Sequence, residues 1–418
     1  MNQALREYWF RCIECGAEYS GDERIYFCPR CGDLLDVVYE LGDEVEQIPW
    51  LKDLDRRPLG VWRYRELLPV EDYVRAVSMN EGGTRLIRCR NLESDLGVRE
   101  IYVKYEGDNP TGSFKDRGMT VGVTKAVEVG AKTTICASTG NTSSSLAAYS
   151  ARAGLECLVL VPSKKIALGK LSQALIHGAR VLAVKGGFDD CLRMVKELSR
   201  NERFYLLNSI NPFRLEGQKT ASYEIYEQLG GMIPDNLLIP IGNAGNIVAY
   251  WKGFKDLKSL GLIDKLPRFM GVQAAGASPI YKAFIEGADE IRPIENVETV
   301  ATAIRIGNPV NWKRALMAVR ETGGLVEVVS DDEILRAQRV LASREGIFAE
   351  PAGAAPIALL MKSVEKGLID PDSRIVCIVT GHGLKDPDIV LKTSKNLVEI
   401  EADVKEVLDI LAASAKTL

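Results

Sequence analysis

The sequence predicts an α/β fold built on parallel sheets, and three observations carry that prediction. From about residue 100 onward, short β-branched and apolar runs alternate with amphipathic stretches. The runs show little polar alternation, as expected of strands covered on both faces. Glycines stand where the intervening helices should stop, at Gly130, Gly154, Gly178, Gly230 and Gly261. A residue without a Cβ closes a helix in the left-handed region at the least steric cost.

The strand candidates, in chain order, are Ile101–Tyr105, Thr133–Ala137, Cys157–Val161, Val181–Val184, Tyr205–Leu207, Leu237–Ile241 and Arg374–Val379. Among the helices, Ser330-Asp331-Asp332-Glu333 reads as a capping box, with Ile334, Ala337 and Leu341 following on one face. With 418 residues the chain is long for one core, so two or three domains are expected. Residues 40 to 60, acidic and then bearing proline and tryptophan, read as a connector between an amino-terminal module and the body. No internal repeat is evident.

The charge balance, 53 − 57 = −4, argues against non-specific nucleic-acid affinity. No apolar stretch reaches transmembrane length, and the amino terminus lacks the apolar segment of a signal peptide. No membrane partner is expected, and a cytoplasmic location follows by default. Of nine cysteines, four fall in the first 31 residues as pairs, while Cys89, Cys136, Cys157, Cys191 and Cys377 are scattered. That is not a disulfide framework, and it suits a reducing compartment. With only His177 and His382 present, chemistry built on histidine has few candidates.

The paired cysteines form two Cys-x-x-Cys-Gly turns, Cys12/Cys15 and Cys28/Cys31, with twelve residues between them. They offer four soft ligands in a short module with too little core to fold alone, the pattern of a structural zinc site. Four thiolates leave no open coordination position, so such a metal braces structure and activates no water. A redox dithiol, or a site that no longer holds metal, are the competing readings.

The most informative stretch is Asn109-Pro110-Thr111-Gly112-Ser113-Phe114-Lys115-Asp116-Arg117-Gly118. It places one lysine where a strand passes through a Pro/Gly turn into a helix start. A lysine held there, near helix amides that suit an anion, is placed to form an imine with a carbonyl cofactor. Taken alone, it can equally be an exposed lysine in a βα loop. The same theme recurs downstream. Ser138-Thr139-Gly140-Asn141-Thr142 opens a helix after one strand, as an N-cap with a serine-rich turn or as a carboxylate cradle. Gly242-Asn243-Ala244-Gly245-Asn246 follows another strand, and its glycines permit close backbone approach to a phosphate. It matches neither the dinucleotide fingerprint nor the Walker pattern. Asn208, Ser209 and Arg214 offer a cation and neutral donors suited to a dianion, although Arg214 alone can be a solvated first-turn residue.

The lysine segment, the asparagine loop, the Asn208–Arg214 segment and Gly381-His382-Gly383-Leu384-Lys385-Asp386-Pro387 together resemble the threonine synthases and related pyridoxal-phosphate enzymes of the tryptophan synthase β-subunit fold. The resemblance covers most of residues 60 to 390. It implies a two-domain α/β fold of pyridoxal-phosphate type II with an amino-terminal zinc-ribbon-like module. The implied division is a module over 1–45, a large cofactor domain over 46–110 and 221–418, and a small substrate domain over 111–220.

It further implies that Lys115 carries pyridoxal 5'-phosphate, with Gly242, Asn243, Ala244, Gly245 and Asn246 around the cofactor phosphate. Asn141 would lie beside the phenolic oxygen and Thr380 at the pyridine nitrogen. Ser138, Thr139 and Thr142 would surround the substrate carboxylate, and Asn208, Ser209 and Arg214 the substrate phosphate. The implied reaction converts O-phospho-L-homoserine and water into L-threonine and phosphate, in a homodimer. A serine/threonine deaminating lyase and a β-replacement enzyme resembling cysteate synthase are the alternatives. A zinc-ribbon binding protein that has kept the fold is the non-enzymatic one. His382 reads as a packed loop histidine. Glu350-Pro351-Ala352-Gly353 and Glu81-Gly82-Gly83-Thr84 resemble family segments whose roles stay open.

Overall fold

The computed structural model describes residues 7–39, 54–163, 168–393 and 399–415. Most of the expected connector, 40–53, lies outside the described residues. Among the described residues, thirteen strands form three sheets. In the amino-terminal module, β1 (Tyr8–Cys12) pairs antiparallel with β2 (Glu18–Ser20) and β3 (Leu35–Tyr39). A six-stranded sheet contains β4 (Leu86–Arg88), β5 (Glu100–Tyr105), β10 (Asn236–Pro240), β11 (Arg268–Ala274), β12 (Leu325–Val329) and β13 (Arg374–Val379), in the order β12-β11-β10-β13-β5-β4. Every pairing in it is parallel except β4 with β5. A four-stranded parallel sheet, ordered β8-β7-β6-β9, contains β6 (Thr133–Ala137), β7 (Glu156–Pro162), β8 (Arg180–Val184) and β9 (Phe204–Leu206).

The apolar runs behave as strands covered on both faces. Leu237, Ile239, Val376 and Ile378 face one core of the large sheet, while Leu238, Ile375, Cys377 and Val379 face the other. Because side chains alternate along a strand, both cores are needed to cover a continuously apolar run. One strand departs from that expectation. β8 is the edge of its sheet, covered poorly on both faces, and Leu182 is 46% exposed. The glycine stops stand, since all five residues have positive φ. The capping box is formed at the helix Asp331–Glu345, with Ser330 and Glu333 each accepting the other's backbone N–H.

Six helices carry or flank the site: α1 (Lys115–Glu128), α2 (Asn141–Ala153), α3 (Phe213–Gln228), α4 (Gly245–Ser259), α5 (Trp312–Glu321) and α6 (Pro351–Glu365). The α1–α3 crossing is bare. A Cβ on Gly217 would stand 1.8 Å from the Arg117 carbonyl oxygen, and one on Gly118 would stand 2.6 Å from that of Arg214. Beside the crossing lies a wholly buried charge cluster. Arg117 donates to Glu106 and Glu224 through Nε, Nη1 and Nη2 at 2.6 to 2.8 Å. Lys104 donates to Glu224 at 2.6 Å and to the Thr84 carbonyl at 2.7 Å. Burial works to raise the Glu224 pKa, but Arg117 and Lys104 outweigh it and hold the carboxylate at about 2. The glycine patch ahead of β4 closes over this cluster, with Gly83 N–H on Glu224 and Gly82 N–H on Asn109.

The chain separates into two compact units, one ending at Lys385 and the other beginning at Asp386. The second contains helices Pro387–Thr393 and Val404–Ala415. No described helix is long and apolar enough to cross a membrane.

Candidate active site and metal centre

In parallel sheets ligands gather at the carboxyl ends of strands, where loops lead into helix amino termini. Here the loops after β5, β6, β9, β10 and β13 open onto one pocket. Its lining includes Lys115, Asn141, Ser209, Arg214, Gly242 through Asn246, and Thr380. The lysine loop is fastened to the loop after β13. Phe114 N–H donates to the Thr380 carbonyl at 3.1 Å, and His382 N–H to the Gly112 carbonyl at 2.9 Å. From below, Asp116 accepts from the Thr111 N–H, the Thr111 hydroxyl and the Ser145 hydroxyl. Lys115 therefore starts α1 from a turn held on two sides.

The Lys115 amine lies 4.1 Å from the centre of the Phe114 ring. Burial and the Arg214 charge push its pKa down to about 7, against an opposing pull from Glu350. Arg214 is 2% exposed and has no carboxylate partner among the described residues. Its Nε lacks a hydrogen-bond partner, and burial lowers its pKa to about 10. One turn on, Gln218 Oε1 is likewise unpartnered, as are both side-chain polar atoms of Asn246. A pocket holding a buried guanidinium and unmet amide groups is built for an anionic ligand.

The loop after β10 has the form of an anion cup. Ala244 adopts φ +64°, one of two described non-glycine residues with positive φ, immediately before the first turn of α4. Gly242 lies so close to Ala303 that a Cβ would stand 3.0 Å from its carbonyl oxygen. Orphan N–H groups of a helix start suit a phosphate here. The described residues thus fit pyridoxal phosphate: a lysine of depressed pKa at one end of the pocket and an anion cup lining another part of it.

Some predicted residues are placed differently. Asn208 commits its amide to Ala137, accepting from its N–H at 2.9 Å and donating to its carbonyl at 3.0 Å. It ties β9 to β6 and does not line the pocket. Ser138, Thr139 and Thr142 are half-buried around the start of α2 and are likewise not lining residues. Asn141 does line it, and donates to both oxygens of Glu350 at 3.1 and 3.0 Å. His382 is a packing residue. Its Nδ1 accepts the Leu384 N–H, its ring sits against Tyr105 and Phe348, and burial lowers its pKa. The sequence reading missed Gln218, Ala303 and Ile304, which line the pocket. Only Gln218 left a signal, lying four residues after Arg214 on the same helical face.

In the amino-terminal module, two matching turns present the cysteines. Gly16 and Gly32, both at positive φ, donate back to the carbonyls of Cys12 and Cys28. The Sγ atoms of Cys12 and Cys31 lie 3.4 Å apart, those of Cys15 and Cys28 3.6 Å apart, and all four fall within 4.8 Å of one another. Tetrahedral zinc with Zn–S of about 2.3 Å separates its sulfurs by about 3.8 Å, so the four thiols fit that ion.

Residues 77–381 match the family described as pyridoxal-phosphate dependent enzyme. The fold agrees with solved structures. A T.th. threonine deaminase superposes at TM-score 0.59 with 25% identity, over 72% of this chain and 92% of that one. Threonine deaminase isoform 2 from Solanum lycopersicum reaches 0.64 at 22% identity, over 85% and 95%. The chain is thus a pyridoxal-phosphate enzyme of the tryptophan synthase β-like fold. Among curated relatives, threonine synthase of Methanocaldococcus jannaschii is 57% identical over 404 residues, 96% of this chain and 98% of that one. Threonine synthase of Methanosarcina acetivorans is 53% identical, over 98% and 100%. The chain belongs to the threonine synthases.

Proposed function

We propose that the pocket around Lys115 carries the reaction of that family, converting O-phospho-L-homoserine and water into L-threonine and phosphate. The observation that carries this reading is Arg214, a buried guanidinium with no carboxylate to neutralise it among the described residues, sharing a pocket with a lysine of lowered pKa. Pyridoxal phosphate, when bound, supplies an aldehyde for covalent capture and a ring that takes up the charge left by a departing proton. Lys115 would hold it, with Gly242 through Asn246 around its phosphate and with Asn141 and Thr380 toward its phenolic oxygen and ring nitrogen. With its pKa lowered to about 7, a substantial share of the Lys115 amine is neutral near pH 7, and once free it accepts the proton from the substrate's Cα. Ser138, Thr139 and Thr142 at the start of α2 receive the substrate carboxylate. Ser209 and Arg214 bind the γ-phosphate and steady its charge as it leaves, while Asn208 supports them from behind. Departure of the γ-phosphate also requires a proton to leave Cβ, and Cγ takes up a proton before water adds at Cβ. The phosphate retained beside Arg214 would accept the proton that this water gives up.

Arg214 also separates this reading from deamination of serine or threonine, whose substrates carry no phosphate. Arg214→Ala should cut phosphate release from phosphohomoserine by about 10²-fold or more, as loss of a transition-state donor does. Any serine or threonine deamination should fall far less. Equal losses on both would refute the assignment, as would a Lys115→Ala protein that still fixes the cofactor covalently.

Zinc at Cys12, Cys15, Cys28 and Cys31 belongs to the same proposal, supported by the spacing of the four thiols. So do the domain division 46–110 with 221–418 against 111–220, a homodimer, which light scattering would test, and a cytoplasmic location. The last is supported by nine unpaired cysteines.

A further inference from the structure

Asn311 stands at the N-cap of α5, yet its side chain makes no cap hydrogen bond to that helix. Asparagine is favoured at such positions because it does cap, so here its amide is committed elsewhere. It is 1% exposed. Its backbone N–H donates to the carbonyl of Asn243 in the anion cup at 3.2 Å. Its Nδ2 reaches the carbonyl of Ser209, in the segment that carries Arg214, at 3.4 Å. A Cβ on Gly245 of the cup would stand 3.7 Å from that nitrogen. A single buried residue therefore touches both anion-binding segments.

Its orientation is fixed from outside the pocket. Arg314 Nη2 donates to Asn311 Oδ1 at 2.7 Å. Arg314 Nη1 lies 3.0 Å from Oδ1 of Asp36, a charge contact without hydrogen-bond alignment. Asp36 belongs to β3 of the cysteine module, and Lys252 of α4 donates to it at 2.9 Å. The same strand also reaches α3, through the Tyr39 hydroxyl on Glu216 at 2.6 Å.

We propose that Asn311 is a specificity-determining positioning residue, which sets the separation between the cofactor-phosphate cup and the substrate-phosphate segment and is itself held by the module's Asp36 through Arg314. A fixed separation between two anion sites measures the substrate carbon chain between amine and phosphate. It favours phosphohomoserine over O-phospho-L-serine, which is one methylene shorter. The inference rests on the reading of the two segments given under Proposed function.

The test compares wild type, Asn311→Ala, Arg314→Lys and Lys313→Ala. Lys313 pairs with Glu14 and Asp33 of the module on the same helix, so its loss loosens docking without touching Asn311. An ammonium at position 314 cannot span Asp36 and Asn311 as the guanidinium fork does. Two quantities are read. One is the ratio of the phosphoserine inhibition constant to the phosphohomoserine KM. The other is the dissociation constant of pyridoxal phosphate from apoprotein, by fluorescence titration. In Asn311→Ala the ratio should fall about tenfold and cofactor binding weaken about tenfold, the loss of one buried hydrogen-bonding group. Arg314→Lys should move both the same way, and Lys313→Ala should leave both at wild-type values. The inference is overturned if either quantity stays at the wild-type value in Asn311→Ala, or if Lys313→Ala shifts them equally. Should Asn311→Ala fail to fold, Arg314→Lys decides by the same criteria. A wild type that binds cofactor but releases no phosphate from phosphohomoserine would instead bring down the functional reading beneath it.

Discussion

At the level of single side chains, burial and the Arg214 charge together depress the ionisation of Lys115, while burial depresses that of Arg214. Two cations share a pocket away from water, and their pKa values fall to about 7 and about 10. The sign matters for the lysine, because only its neutral form attacks an aldehyde or accepts a proton. Capture of pyridoxal phosphate by the apoprotein should therefore rise as pH climbs through about 7 and level off above it. A midpoint near the ordinary lysine value of about 10, measured by stopped-flow absorbance, would contradict the electrostatics. The profile should be simple, since His382 is held as a hydrogen-bond acceptor by Leu384. Adding inorganic phosphate should move the midpoint upward in part, because an anion beside Arg214 offsets that cation's share of the depression and leaves the larger share, due to burial, in place.

Helices and loops decide where those side chains stand. The lysine segment and the cup were legible in the sequence because each is a continuous stretch closing a strand and opening a helix. Local chain direction sets each turn, and distant contacts such as Phe114 with Thr380 then fasten the lysine loop. Asn208 shows where that legibility stops. Its position after β9 was readable, but not that its amide would turn to Ala137, a partner 71 residues away. Asn311 left no local signal at all, and β8 read as buried because a sequence does not announce which strand ends a sheet. Gly217 marks an element-scale constraint. Gly217→Ala forces α1 and α3 apart, which should cost about 3 kcal/mol and lower turnover as Lys115 and Arg214 separate. Urea melts with parallel kinetics would check both. Glu224→Gln, which leaves Arg117 and Lys104 short of one buried carboxylate, should cost about 3–5 kcal/mol in the same melts.

For the molecule as a whole, the amino-terminal module is bound into the body. Phe10 and Tyr8 stack edge-on against Phe213 with ring centres 5.4 and 6.0 Å apart, one residue before Arg214. Asp36, Tyr39, Glu14 and Asp33 reach α3, α4 and α5. Stripping zinc with a chelator should therefore lower the Tm of the entire enzyme in one transition, not melt a separate appendage. A metal-free preparation of undiminished Tm would rule out the zinc assignment. The bare crossing of α1 over α3 carries a consequence for anyone redesigning this catalyst. Where backbone rests on backbone, no rotamer or volume change can tune the interval between amine and guanidinium, so that helix pair works as a caliper with its jaws locked. New substrates of different length would have to be accommodated by resculpting the polypeptide that follows the strands.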